Sequence, residues 1–144
     1  MTTIREMREG DRAAVIAMMR GFYASDAVST NGSEEIFAAD VDACVGDSPY
    51  LEGYVFEGDC GIVGYSMLAK SFSTEFGRPC IWIEDIFLKE EARGQGIATR
   101  FFAMIEEKYP AAIFRLEAEP ENERALRVYE KCGYTPLPYI ELKK

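Results

Sequence analysis

Apolar positions change their spacing several times along the 144 residues, and each change marks an element. Residues 3–7 read as a short first strand. Asp11 stands where a helix cap is expected, ahead of Val15, Met18, Met19 and Phe22 at i, i+3, i+4 and i+7. Ser33 opens a second helix with two acids in its first turn and Ile36, Phe37, Val41, Cys44 and Val45 facing inward. Residues 50–57 and 62–70 are strand-like runs around Gly58-Asp59-Cys60-Gly61, a strong hairpin signal.

In the second half, residues 80–88 form a further strand and residues 96–109 a helix with Ile97, Phe101, Met104 and Ile105 on one face. Residues 112–118 alternate as a strand does, with Phe114 and Leu116 on one side and Ile113, Arg115 and Glu117 on the other. A helix over 122–132 carries Ala125, Val128, Tyr129 and Cys132 on one stripe and stops at Gly133, with Pro136 beyond. Residues 137–142 close with one more strand. The order β-α-α-β-β-β-α-β-α-β predicts an antiparallel meander followed by a β-α-β unit whose crossover helix makes two strands parallel. Nothing marks a linker or a repeat, so residues 1–144 are read as one α/β (α+β) domain.

Composition narrows the class. An apolar fraction of 48% with 28% charged residues is an ordinary globular balance. Cys44, Cys60, Cys80 and Cys132 show neither CxxC pairs nor metal-type spacing, and the chain has no histidine, so no metal is expected. Unpaired thiols suit a reducing compartment. The first residues show no basic stretch leading into an apolar run, and no stretch approaches the ~20 apolar residues of a membrane helix. A cytoplasmic protein without a membrane partner is expected. The net charge of −9 disfavours nucleic acid and mildly favours a cationic partner.

The chemistry concentrates between residues 83 and 99. The strand Ile83-Glu84-Asp85-Ile86-Phe87-Leu88 runs through a short loop into Arg93-Gly94-Gln95-Gly96-Ile97-Ala98-Thr99, where a helix begins. The first turn of a helix leaves N–H groups unpaired and carries partial positive charge, which attracts phosphate. Glycines at 94 and 96 let backbone approach an anion closely, small Ala98 does not shield it, and Arg93 and the Thr99 hydroxyl can add donors. No GxxxxGK followed by Ser or Thr is present, which excludes a Walker loop. A dinucleotide loop fits poorly, although Glu117 lies at a suggestive distance: Thr99 replaces its third glycine, and the loop follows a meander rather than a first strand.

Arg93-Gly94-Gln95-Gly96-Ile97-Ala98 resembles the (Q/R)-x-x-G-x-(G/A) pyrophosphate loop of the GCN5-related N-acetyltransferase (GNAT) superfamily. The run Asn122-Glu123-Arg124-Ala125-Leu126-Arg127-Val128-Tyr129-Glu130-Lys131-Cys132-Gly133-Tyr134 resembles its second signature, N-x-x-A-x-x-x-Y-x-x-x-G-(F/Y). The likeness is close over residues 80–135 and rests on element order before that. It implies a mixed, mostly antiparallel sheet splayed between the fourth and fifth strands, with acetyl-CoA as cosubstrate in the gap. The backbone of Ile86, Phe87 and Leu88 would pair with the pantetheine amides, Gly94 to Thr99 would hold the diphosphate, and Asn122 would reach the pantetheine side. A plain helix cap is an equally good reading of Asn122.

The resemblance also implies roles in transfer to an amine. Tyr129 matches the tyrosine beside the CoA sulfur and would be the general acid. A phenol near pKa 10 protonates a thiolate near 8.5 uphill by only about 1.5 units. Ile83-Glu84-Asp85 resembles the spermidine/spermine acetyltransferases, where the glutamate deprotonates the amine through water and its neighbour helps bind it. Neighbouring residues of a regular strand face opposite ways, so a bulge is needed to turn both carboxylates toward one cleft. A carboxyl near 4.3 cannot directly deprotonate an ammonium near 10, a gap of about 8 kcal/mol, so Glu84 is read as ordering water and Asp85 as contacting the cation. The expected acceptor is a small-molecule amine, with a polyamine or diamine favoured and aminoglycosides, amino acids and protein N-termini left open. Tyr23, Asp26, Glu35 and Tyr65 are candidates for the acceptor pocket. A catalytically idle acyl-CoA sensor is the alternative, and a homodimer through the last strand is a further expectation.

Overall fold

A computed structural model describes residues 1–25 and 32–144. The strands are β1 (Thr3–Glu6), β2 (Leu51–Gly58), β3 (Gly61–Ser73), β4 (Arg78–Leu88) and β5 (Ile113–Leu116). The helices are α1 (Arg12–Tyr23), α2 (Glu34–Val45), α3 (Ile97–Lys108) and α4 (Glu123–Lys131), with short 3-10 turns at Glu9–Asp11 and Glu90–Ala92. The sheet order is β1-β2-β3-β4-β5, antiparallel until β4 meets β5 in parallel. That is the expected meander followed by a β-α-β crossover.

Alternation along the strands divides the core between two faces. Tyr54 and Phe56 of β2 and Leu68 of β3 pack beneath α3 with Phe101, Phe102 and Ile105. Val55, Tyr65 and Met67 face the other way, against Val15, Met18 and Met19 of α1 and Phe37 and Val41 of α2. Phe102, missing from the expected stripe of α3, is 1% exposed, whereas Met104 is only half-buried. Ile36, expected inward on α2, is 50% exposed.

One irregularity in β4 decides where its acids point. Met67 pairs with Asp85 and Leu68 with Ile83, leaving Glu84 as the extra residue of a bulge. Before it, Ile81 and Ile83 lie on the α3 face; after it, Ile86 and Leu88 do. The parity has flipped, so Asp85 and Phe87 turn to the face of α1 and α2.

Two local expectations are corrected. Asp11 does not cap α1 through its side chain. Its carboxylate accepts from the Arg8 N–H at 2.8 Å and pairs with the Arg5 guanidinium, which satisfies a buried charge. The strand expected at 137–142 does not form, and the sheet ends at β5. Pro136 and Pro138 lack N–H groups at alternate positions, so a ladder on that side would lose two successive donors. Tyr139 instead donates its hydroxyl to Glu75 in the β3–β4 hairpin, and Ile140 and Leu142 are exposed. The edge read as a dimer contact is therefore not a strand of this sheet.

Candidate active site

The parallel pairing of β4 with β5 runs only from Cys80–Ile113 to Ile83–Leu116. Residues 85–88 of β4 keep β3 on one side and have no strand on the other. The split opens at the Glu84 bulge. Backbone amides along it present a row of donors and acceptors to the gap, which is what an extended chain needs in order to add as a further strand. Ile86 and Leu88 pack toward α3 and Phe87 toward α1, so their side chains brace the edge while their backbone lines the gap.

Beyond Leu88 the chain turns through Glu90–Ala92 into α3. Ala92 and Ile97 are buried and pin the loop to the core. Gly94 and Gly96 have φ of 75° and 76°, left-handed values that favour glycine. No side chain caps α3, and its first internal bond is Arg100 N–H to the Gly96 carbonyl. The N–H groups of Ile97, Ala98 and Thr99 are thus left for an anion. A Cβ at Gly96 would meet nothing within 4 Å, so the approach is open. The gap and the loop fit the extended arm and the diphosphate of acetyl-CoA.

The flanking side chains are tied to the protein in specific ways. Arg93 Nε donates to the Leu88 carbonyl at 3.0 Å, with its guanidinium 6.0 Å from the Phe87 ring. Gln95 donates to the Glu91 carbonyl, and the Thr99 hydroxyl lies 3.7 Å from Cys132 Sγ. Asn122 caps α4, its Oδ1 accepting from Ala125 N–H at 3.4 Å. Tyr129 packs edge-on against Phe102 and Tyr134. Its hydroxyl has no hydrogen-bond partner among the described residues, and burial raises its pKa, which keeps it protonated at neutral pH.

On the opposite side of the split lies a group of carboxyls. Asp85, 5% exposed, accepts from the hydroxyls of Tyr23 at 2.9 Å and Tyr65 at 2.7 Å, while its carbonyl accepts from Ser66 Oγ. Burial lifts the Asp85 carboxyl above its ordinary range, against the two phenols that favour the charged form. Glu84 is likewise raised, by loss of water, then by Asp85 and Glu141. Asp40 of α2 completes the group: burial, Asp85 and Glu84 push it up to about 6. Glu117, just past β5, is raised to about 7 by a hydrogen bond with Glu141, by burial and by the charges of Glu141 and Glu84. The structure brings Tyr23 and Tyr65 onto Asp85 by hydrogen bonds, with Glu84 close enough to interact with Asp85 through its charge. Glu35 is exposed, and Asp26 lies outside the described residues.

Asp40 is the residue sequence reasoning missed. It follows Phe37 by three and precedes Cys44 by four, so it sits on the inward stripe of α2. An acid at an inward helical position was the signal available.

The chain as a whole is similar to known proteins. The model of the acetyltransferase (GNAT) family matches residues 17–134. Thialysine N-epsilon-acetyltransferase from Bos taurus is 32% identical over 152 residues, covering 96% of this chain and 86% of the relative. The Mus musculus protein of the same name is 30% identical and covers 97% and 88%. Among solved structures, AAC(6')-Iy with a bisubstrate analogue, CoA-S-monomethyl-acetylneamine, superposes with a TM-score of 0.82 at 14% identity, covering 100% of this chain and 97% of that one. A possible acetyltransferase from Clostridium difficile 630 gives 0.80 at 20%, covering 99% and 96%. The chain belongs to the acetyltransferase (GNAT) family. It is an acetyl-CoA-dependent N-acetyltransferase that acetylates an amine.

Proposed function

We propose that the acceptor is a primary amine of a small di- or polyamine, acetylated by direct attack. The observation that carries this reading is the Glu84 bulge, which places two adjacent carboxylates at the mouth of the split with Asp40 near both. Three acids around one hollow bind a cation with more than one ammonium better than a single one. The relatives are named for thialysine, which supports a small-molecule amine acceptor without choosing between an amino acid and a diamine.

Acetyl-CoA, when bound, supplies the thioester whose acetyl group is transferred. The chain's own residues supply the rest. Asp85, held by two phenols, and Asp40 hold the ammonium groups. Glu84, raised by burial and then by its acidic neighbours, orders the water that carries the proton away from the attacking amine. That partly closes the gap between a carboxyl and an ammonium, and bulk solvent takes the proton at the end of the chain. The backbone of Ile86, Phe87 and Leu88 aligns the cosubstrate arm. Gly94 to Thr99 hold its diphosphate, Arg93 and Gln95 brace that loop, and Asn122 orients the start of α4. Tyr129 gives its proton to the departing thiolate.

The four cysteines are free, which supports a reducing, cytoplasmic setting. No helix among the described residues is long and apolar enough to cross a membrane.

CoA thiol release is measured across polyamines, aminoglycosides, amino acids including thialysine, and short peptides. Highest kcat/KM with a diamine or polyamine supports the reading. Preference for thialysine or another amino acid would show that the hollow tolerates a substrate carboxylate, and would overturn it.

A further inference from the structure

The diphosphate loop supplies backbone N–H groups, and its own arginine is partly engaged with the protein. The Arg93 Nε is bonded to the Leu88 carbonyl, and its guanidinium lies over Phe87. A second arginine stands beside the loop. The Arg124 Nη2 is 3.9 Å from where a Cβ at Gly94 would sit. Arg124 lies in the first turn of α4, a different element from the loop, and reaches across to it. It is exposed and has neither a hydrogen bond nor an ion pair among the described residues. That is notable in a chain of net charge −9 with Glu119, Glu121 and Glu123 within five residues of it. An unpaired guanidinium beside Gly94, two residues ahead of an uncapped helix, is placed for an anion.

We propose that Arg124 is the cationic clamp on the diphosphate of acetyl-CoA, closing over the α3 entry from the side of α4. The inference rests on the loop's being the diphosphate site. A guanidinium offers two parallel N–H groups to phosphate oxygens, and the Gly94 backbone leaves room for them between loop and helix. The two signature runs then act together, the first supplying the N–H nest and the second the charge that closes it. Glycine at 94 is favoured by its left-handed φ, and a Cβ there would lie in ordinary van der Waals contact with Arg124.

The test is calorimetric binding of CoA, dephospho-CoA and pantetheine to the native protein and to Arg124→Ala. CoA and dephospho-CoA should both weaken about 10-fold in the variant, while pantetheine, which lacks the diphosphate, binds unchanged. Unchanged CoA affinity would overturn the assignment. So would a loss confined to CoA, which would move Arg124 to the ribose 3'-phosphate. An equal loss with pantetheine would make the role structural and overturn it as well. A native protein that binds neither CoA nor dephospho-CoA would instead defeat the diphosphate reading of the loop, a separate result.

Discussion

Tyr65 and Asp85 meet diagonally across β3 and β4, the phenol donating to the carboxylate at 2.7 Å from a fully buried ring. Tyr65 pairs in register with Phe87, two residues on from Asp85 and on the same face. The contact exists only because the bulge at Glu84 turned Asp85 away from the α3 core. A buried carboxylate is costly unless its oxygens are bonded, and here each has one phenol, Tyr65 from the sheet and Tyr23 from the end of α1. The site therefore joins the two layers of the fold through a single side chain.

Tyr65→Phe removes one of those donors without changing the packing volume. Asp85 then keeps only the Tyr23 bond, and its carboxyl rises further toward the neutral form. Stability at pH 7 should fall by about 1–3 kcal/mol, the cost of leaving a buried acceptor unsatisfied. The KM for the amine should rise, because a protonated Asp85 no longer attracts a cation. Thermal melting and steady-state kinetics read the two effects. An unchanged melting temperature would mean that Asp85 draws nothing from Tyr65.

Much of this is legible in the sequence. The 3.6-residue stripes of α1 and α4, the glycine pair ahead of α3 and the adjacency of Glu84 and Asp85 all carry their structural meaning openly. Even the bulge can be required, since two neighbouring acids cannot otherwise serve one cleft. Its effect on parity cannot be read, because that depends on which residue of β3 each residue of β4 opposes. Asp40 is hidden for a related reason: a helical stripe names a face but not what lies across from it. The final segment misleads because Leu137, Tyr139, Ile140 and Leu142 are individually strand-like, while the missing donors of Pro136 and Pro138 weigh more than those preferences.

Glu84→Gln keeps the bulge, because the extra residue remains, but cannot accept a proton or hold water as a carboxylate does. A fall in kcat of about 100-fold or more is expected, with CoA affinity unchanged because the loop is untouched. The acid limb of the pH-rate profile should vanish with it. Stopped kinetics with intact CoA binding would support the role. A parallel loss of CoA affinity would show that Glu84 shapes the gap instead.

Gly96→Ala tests the helix entry. The added methyl meets no atom, so its cost is that of the φ of 76° alone, about 1–2 kcal/mol of stability. CoA affinity should fall by more than this, since the methyl stands in the open approach to the N–H groups of α3. Comparing melting temperature with calorimetric CoA affinity separates the two. If affinity holds while stability drops, the anion does not approach past residue 96.

The carboxyl group predicts a pH dependence whose sign is unusual for acids. Asp40 moves from an ordinary value of 3.8 up to about 6 on folding, through burial and the charges of Asp85 and Glu84. A raised folded pKa means that the folded protein binds the proton more tightly than the unfolded chain. The contribution of Asp40 is therefore complete below about pH 4 and is lost as pH rises toward 6. Screening leaves about 1–2 kcal/mol of this shift as a stability change. Asp40→Asn, neutral throughout, should remove that part of the slope and leave the amine-free protein more stable than native at pH 7. A diamine reverses the balance in the native protein, because a cation favours the carboxylate. Binding near pH 6 should then release protons, and at pH 8 it should release none. Melting curves from pH 4 to 7 test the first half, and titration calorimetry in two buffers of different ionisation enthalpy tests the second. An Asp40→Asn variant with the native slope and native proton release would separate Asp40 from the acceptor site altogether.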